Sequence, residues 1–318
     1  MEKAIGGYFE LELPHHGEYH KKGLRLNSGK NCLEYILQCR NYSKVYIPYY
    51  TCDVVLKPFQ KLGIAYEFYH INIQLELSCD IHLYSGEALL YTNYYGLKQR
   101  YTEELARKYG NRLIIDNTQA FFSKPIAGID TFYTCRKFFG VPDGAYLYSD
   151  IVHDEKLEQS TSFDRFEHLL KRIDLSAGDG FGDYHKNENR LESQPVQKMS
   201  KLTERLMQSI DYDDIAKKRR ANFMQLHNVL CDSNHLSITL TDDAVPMVYP
   251  YMVAKEGLRD KLIANKIFVA RYWPNVLDWT KKGSVEYLLT EQMQPLPIDQ
   301  RYGEEEMKSI IEIVNKNR

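Results

Sequence analysis

The sequence has no Cys-x-x-Cys pair, no Gly-x-Gly-x-x-Gly turn, no long apolar run and no excess of charge of either sign. Its six cysteines (Cys32, Cys39, Cys52, Cys79, Cys135 and Cys231) are scattered, which argues against a disulfide framework and a zinc site, so no metal is expected. No apolar stretch approaches the roughly 20 residues that cross a bilayer, so no membrane partner is expected. Met1 to Gly7 lacks the apolar core of a secretory signal, and a cytoplasmic protein is the expectation. A formal net charge of −2 gives no basic footprint for nucleic acid. Without a glycine fingerprint after the first strand, a nicotinamide-dependent enzyme is disfavoured. Tryptophan is scarce, at 2 residues, whereas tyrosine is abundant, at 25, and many of these are expected to line polar clefts or an interface.

What is present is alternation. Residues 1–28 read as an extended arm broken by glycine and proline. Beyond it, short apolar runs recur at Val45–Ile47, Ile64–Tyr69, Ala88–Tyr91, Leu113–Ile115 and Ala145–Tyr148. Helix-forming stretches separate them at Asn31–Arg40, Asp53–Leu62 and Thr102–Tyr109. Strands alternating with helices imply βαβ units and a mostly parallel sheet, an α/β fold whose ligands bind beyond the carboxyl ends of the strands. Residues 151–230 are charged and helix-rich, with a glycine-rich break at Gly178–Gly182. Pro246–Ala254 reads as a strand, followed by a helix, a second strand-like run at Ile267–Ala270 and a charged helix from about Gly303. The expected organisation is an arm over 1–28, a large domain over 29–200 and a small α+β domain over 201–318.

Three stretches carry chemistry. In Leu113-Ile114-Ile115-Asp116-Asn117-Thr118-Gln119-Ala120 an apolar strand ends in a carboxylate. Asp116 there is either the cap of a following helix or a buried anion held for a cationic group. In Tyr133-Thr134-Cys135-Arg136-Lys137-Phe138-Phe139-Gly140, a lysine sits between aromatic residues directly after a strand-like run. Desolvation there would lower its pKa and make it a competent amine nucleophile. Thr134 and Arg136 are placed to bind a phosphate. In Asn27-Ser28-Gly29-Lys30-Asn31 a Ser-Gly turn opens a helix, which is either a plain N-cap or a phosphate cup. The basic run Lys217–Arg220 reads as a solvated helix face.

Taken in order, these elements resemble the DegT/DnrJ/EryC1/StrS family of pyridoxal-phosphate (PLP)-dependent sugar aminotransferases, within fold type I. Ser28-Gly29 match the family's turn, Pro48-Tyr49-Tyr50-Thr51 its Pro-x-aromatic-Thr stretch, and Tyr94-Tyr95-Gly96 its aromatic-Gly ending. Asp116, Gln119 and Ala120 match its Asp-x-x-Gln-Ala, and Lys137 its Schiff-base lysine before a glycine-rich turn. The match departs in three places. Phe132 stands where the family's phosphate-binding serine lies, Cys52 where an aromatic stacks on the cofactor ring, and Asn93 where a histidine is usual.

The resemblance implies fold type I, with a large domain of mostly parallel sheet flanked by helices and a small α+β C-terminal domain. It implies PLP as cofactor, bonded to the catalytic Lys137. Asp116 would hold the pyridine nitrogen protonated and Gln119 would face the phenolic oxygen or the ring plane. Ser28, Gly29, Lys30, Thr134 and Arg136 would contribute to the phosphate site, with Tyr50 as a substitute stacking ring. Asn93 and Arg271 are candidate substrate contacts, Arg271 for the amino donor's carboxylate. An amino-acid donor, glutamate or glutamine, a nucleotide-linked keto-sugar acceptor and a homodimer follow from the family, as does a place in nucleotide-sugar or polysaccharide biosynthesis. The same cofactor residues would equally serve a lyase, or a cofactor-holding protein with a regulatory role.

Overall fold

The computed structural model describes residues 5–151 and 156–317. The first half alternates as expected: β1 (Leu24–Leu26), α1 (Gly29–Arg40), β2 (Lys44–Pro48), α2 (Leu56–Leu62), β3 (Ala65–Tyr69), β4 (Glu87–Thr92), α3 (Gln99–Tyr109), β5 (Leu113–Asp116), β6 (Asp130–Thr134) and β7 (Ala145–Tyr148). Helices follow: α4 (Glu167–Asp174), α5 (Phe181–Ser193), α6 (Lys201–Gln208) and α7 (Tyr212–Leu230). The chain ends with β8 (Val248–Met252), α8 (Leu258–Ala264), α9 (Val276–Trp279), α10 (Val285–Gln292), β9 (Met293–Pro297) and α11 (Glu304–Asn317).

Among the described residues, seven strands form one sheet in the order β1-β7-β6-β5-β4-β2-β3. Strands β3, β2, β4, β5 and β6 run parallel, while β7 is antiparallel to both β6 and β1. Helices cover both faces, so the central strands are buried on both sides and read as continuous apolar runs. Alternate residues then sort between two cores. Val45, Ile47, Ala88, Leu90, Ile114 and Phe132 face one side and pack on α1 and α2. Leu89, Tyr91, Leu113, Ile115 and Tyr133 face the other. A third core, with Phe223, Leu226, Tyr249, Tyr251, Leu262, Leu296 and Met307, lies between α7, α8, α11 and the antiparallel β8–β9 pair.

Four expectations change. Ile267–Ala270 forms no strand: Val269 is buried but Phe268 is exposed, and no ladder pairs them. No helix follows Asp116, which excludes the helix-cap reading. The large tyrosines are core residues, with Tyr50, Tyr91, Tyr94, Tyr95, Tyr133 and Tyr146 fully buried, rather than a cleft lining. Arg219, within the run read as a solvated face, is 1% exposed. Its guanidinium donates to the carbonyls of Met247 (3.0 Å), Pro246 (3.4 Å) and Phe138 (3.4 Å) and to Gln300 Oε1 (3.0 Å), and lies 4.6 Å from the Phe138 ring centroid. It thereby ties α7 to β8 and to the loop after β6. Replacing Arg219 with Met keeps volume but leaves the Pro246 and Met247 carbonyls and Gln300 Oε1 without this donor, while the Phe138 carbonyl keeps Gln300. We expect about 3 kcal/mol of lost stability, read as a lower urea midpoint at unchanged m-value.

The arm docks by a histidine. His20 is 2% exposed, with Nε2 2.7 Å from the Phe121 carbonyl and Nδ1 3.3 Å from the Tyr148 hydroxyl. Tyr133, Phe121 and Tyr146 rings surround it at 4.1, 4.7 and 5.2 Å. Those partners fit a neutral imidazole that donates from Nε2 and accepts at Nδ1. Burial pushes its pKa down to about 4, from 6.5. The neutral form favoured by folding is complete above pH 6.5 and is lost as the pH falls toward 4, a contribution of roughly 3 kcal/mol. Thermal melts between pH 7.5 and 4 should therefore fall steeply in wild type and less steeply in His20→Gln, which starts lower at pH 7.5.

Candidate active site

The ends of β4, β5 and β6 and the start of α1 converge at the carboxyl edge of the parallel strands, where such sheets bind ligands. α1 begins there because Ser28 caps it, its Oγ accepting the Asn31 N–H at 3.2 Å. The N–H groups of Gly29 and Lys30 are left without an intrahelical acceptor, at the positive end of the helix dipole. Gly29 leaves room here: a β-carbon there would lie 3.0 Å from Thr118 Cγ2, a tight contact, and 3.8 Å from Thr134 Cβ. The helix start, the turn after β5 and the end of β6 thus form one cradle that a larger residue would fill.

Asp116 ends β5, is 5% exposed and accepts the Thr118 N–H at 2.8 Å, an Asp turn closed two residues on. Lys137 donates from Nζ to Thr118 Oγ1 at 3.1 Å. Thr118 therefore joins acid and amine through its two polar groups. Burial raises the Asp116 carboxyl's pKa, with the Lys137 charge pulling the other way. Part of the Lys137 surface is open to solvent, yet the protein crowding its amine lowers its pKa, opposed by Asp116. Both groups are shifted toward their neutral forms. A lysine so placed has a larger fraction of free amine near neutral pH.

Gln119 is fully buried; its Oε1 accepts the Tyr95 N–H at 3.0 Å, while its Nε2 has no partner. A buried amide donor left over is a group made for an acceptor that the chain itself does not supply. Thr134 lies against Gly29, and its hydroxyl reaches only the Gly144 carbonyl, at 3.5 Å, the long edge of hydrogen bonding. Asp116, Gln119, Thr118, Thr134, Gly29 and Lys137 are brought together.

Other sequence candidates lie elsewhere. The Lys30 side chain points to the end of α5, donating to the carbonyls of Glu192 (2.8 Å) and Gln194 (3.2 Å), so only its main chain faces the cradle's edge. Tyr50 is fully buried, its hydroxyl 2.8 Å from that of Tyr95 and its ring edge-on to Trp273 at 4.9 Å. Asn93 spends both ends of its amide, on Ser123 Oγ (3.1 Å) and on the Lys98 N–H (2.9 Å). Arg271 is exposed on an irregular segment. Arg136 is ion-paired with Glu188 of α5. Thr118 was missed by sequence reading, and Cys52 was noted only as standing where an aromatic is usual. The signal for Thr118 is its place two residues after an aspartate, the spacing of an Asp turn. Cys52 is half-buried, and its thiol is raised by burial while the nearby Lys137 charge lowers it.

No protein-family model and no curated protein matches this sequence. Solved structures do. The aminotransferase TlmJ from Streptoalloteichus hindustanus aligns with a TM-score of 0.64 at 12% identity, over 92% of this chain and 85% of that one. GDP-4-keto-6-deoxy-D-mannose-3-dehydratase from E. coli, with bound hydrated PLP, gives 0.62 at 15% identity, over 92% and 87%. A DegT DnrJ EryC1 StrS aminotransferase from Brucella abortus gives 0.59 at 13% identity, over 92% and 85%. The chain has the fold of the DegT/DnrJ/EryC1/StrS aminotransferases, the fold-type-I architecture that its sequence motifs resemble.

Proposed function

We propose that this protein is a PLP-dependent aminotransferase, moving an amino group from an amino acid, glutamate or glutamine, to a nucleotide-linked keto sugar. The observation that carries the reading is the Asp116–Thr118–Lys137 chain at the carboxyl edge of the sheet, beside a cradle that Gly29 keeps open. Lys137 is the catalytic residue, its desolvated amine the nucleophile and later the group that carries the proton. Asp116 fits a pyridinium nitrogen, because a buried carboxylate with a raised pKa gains most from a cation. The unpartnered Nε2 of Gln119 fits the phenolic oxygen. The main-chain N–H groups of Gly29 and Lys30, with Ser28 and the Thr134 hydroxyl, fit a phosphate. When bound, PLP supplies an electron sink that stabilises negative charge at the donor's α-carbon.

The chain's own contribution is positional. Thr118 directs the Lys137 amine, and Asp116 would supply the negative charge to a bound pyridine nitrogen. Asn93 and Tyr50, committed to protein contacts, are given no substrate or stacking role, and Cys52 would stand where the family's stacking aromatic lies. A homodimer, which fold-type-I sites commonly require, belongs to the same proposal. Among the described residues no helix is long and apolar enough to cross a membrane.

The visible spectrum of protein purified with PLP tests this. Wild type should show a cofactor band that shifts with glutamate and is lost or altered in Lys137→Ala. A band that ignores every amino donor would favour a lyase or a cofactor-holding role, and no band at excess PLP would sink the reading. Asp116 separates function from stability. Because its pKa is raised, its contribution is favourable only at acid pH and is lost as the pH rises, so at pH 7 the buried carboxylate is a cost. Asp116→Asn, which still accepts from Thr118, should melt at the same or a higher temperature without cofactor, and bind PLP at least tenfold more weakly by spectral titration.

A further inference from the structure

The main chain at Lys137 is held by its loop, but a flexible four-carbon stem separates that anchor from the amine. Among the described residues the amine has one hydrogen-bond acceptor, Thr118 Oγ1 at 3.1 Å. Where the Thr118 hydroxyl points therefore decides where the amine rests.

Threonine carries its hydroxyl and its methyl on one chiral Cβ, so seating either group places the other. Here the rest of the residue is seated. The Thr118 N–H donates to Asp116 Oδ1 at 2.8 Å, which holds the main chain of the turn. The methyl lies over the first residue of α1, where a β-carbon on Gly29 would come within 3.0 Å of Cγ2. Thr134 Cβ and Phe132 Cδ2 close the same spot, at 3.8 and 3.9 Å from that position. With the methyl placed there, the hydroxyl keeps a single position, the one facing Lys137.

The hydroxyl also bears on charge. Burial lowers the pKa of the Lys137 amine, Asp116 and Cys52 oppose this, and Arg136 adds to it. These three are the charged or titratable groups that face the amine, and none of them accepts a hydrogen bond from it. An acceptor placed on an ammonium favours the charged form, so Thr118 acts on the same side as Asp116.

Resting on the aminotransferase reading for the role of Lys137, we propose that Gly29 and Thr118 form a lock that positions its amine. The glycine leaves room for the methyl, and the hydroxyl so aimed holds the amine whenever it carries no other bond. Both are positioning residues, acting through Lys137. The Ser28-Gly29 turn then has a second duty beside the phosphate cup, because its lack of a side chain sets the direction of the nucleophile. Between its turns as nucleophile and proton carrier, the amine returns to one place.

The test is competitive acetylation of the full-length protein without cofactor, from about pH 6 to 10, with Lys137 read by peptide mass spectrometry. An amine reacts only when unprotonated, so its rate near pH 7 reports how firmly the ammonium is held. Thr118→Val keeps shape and methyl but removes the acceptor. Lys137 should then be labelled about tenfold faster at pH 7, with its whole profile moved to lower pH. Thr118→Ser, which keeps the hydroxyl, should stay within about threefold of wild type. Gly29→Ala presses a β-carbon onto the methyl and should speed labelling about threefold or more. Combining it with Thr118→Ser, which removes the methyl, should bring the rate back to that of Thr118→Ser alone. A wild-type profile in Thr118→Val or in Gly29→Ala overturns the proposal, as does a double variant no slower than Gly29→Ala. So does a rise shared equally by Lys44 and Lys98, which are ion-paired elsewhere and would report loss of fold. The assay uses no cofactor, so its outcome is read apart from the cofactor spectrum, whose failure would sink the aminotransferase reading alone.

Discussion

The loop from Cys135 to Gly144 is held from every side, and the geometry of the site depends on that restraint. Its base is closed by the Cys135 N–H to the Gly144 carbonyl, and Gly144 N–H continues to the Asn27 carbonyl of the arm. Asp143, fully buried, accepts from Arg165, from the Ser200 N–H and hydroxyl, and from Thr203. The Phe138 carbonyl, next to Lys137, accepts from Gln300 at 2.7 Å and from Arg219. Gly144 has φ of +108°, and a β-carbon there would lie 2.8 Å from Thr203, so both backbone conformation and space require glycine. Lys137 is the long, flexible member of an otherwise immobilised turn. An amine that must be found repeatedly by a reacting carbon needs its anchor fixed in this way.

That fixation is costly in charge. Asp116 and Lys137 are both shifted toward neutrality by desolvation, and each is only partly relieved by the other. Nothing in the fold requires either charge. The sheet would close as well around an asparagine at the end of β5, because Thr118 needs only an acceptor. Sites that keep an unfavourable charge in place mark where function, not stability, chose the residue. The spare Nε2 of Gln119 is a milder instance, a buried donor whose satisfaction lies outside the chain.

Much of this was legible from residue order, and the exceptions have physical causes. The buried parallel strands announce themselves because both faces are apolar, as in Leu113-Ile114-Ile115. β1 did not, since three residues carry no period and it pairs through β7 late in the chain. β9 was hidden by Pro295 and Pro297, which an edge position in a two-stranded sheet tolerates. Ile267–Ala270 shows the converse, an apolar run that packs one side chain and pairs with nothing. Arg219 lies on the face of α7 shared with Asn222, Phe223, Leu226 and Leu230, all buried. Helical spacing would have exposed it, whereas its basic neighbours drew attention to charge. At the site, the acid, amide and amine were readable because each follows a strand. Thr118 was not, because its role comes from joining two groups that only the fold brings together.

The abundance of tyrosine finds its reason in the asymmetry of the two sheet faces. The face under α1 and α2 is packed mainly by aliphatic residues against regular helices, whose main-chain groups are already paired. The other face is crossed by irregular segments that need partners for their carbonyls. Tyrosine supplies a core body and a hydroxyl reaching beyond it. Tyr91 donates to Leu75, Tyr94 to Tyr50 and Tyr133 to Ser123, each a carbonyl of such a segment. Tyr69 reaches the Leu90 carbonyl in β4, and Tyr212 the Met207 carbonyl at the end of α6. Two of these bonds bear on the site directly. Tyr94 holds the stretch that leads to Cys52, and Tyr133 holds the segment between Gln119 and β6. The same chemistry explains why Tyr50 is withdrawn from the cleft. Its hydroxyl completes the pair with Tyr95, whose N–H fixes Gln119. Exposing the Tyr50 ring would break that pair and loosen the Gln119 amide, so the neighbouring position is left to the small side chain of Cys52.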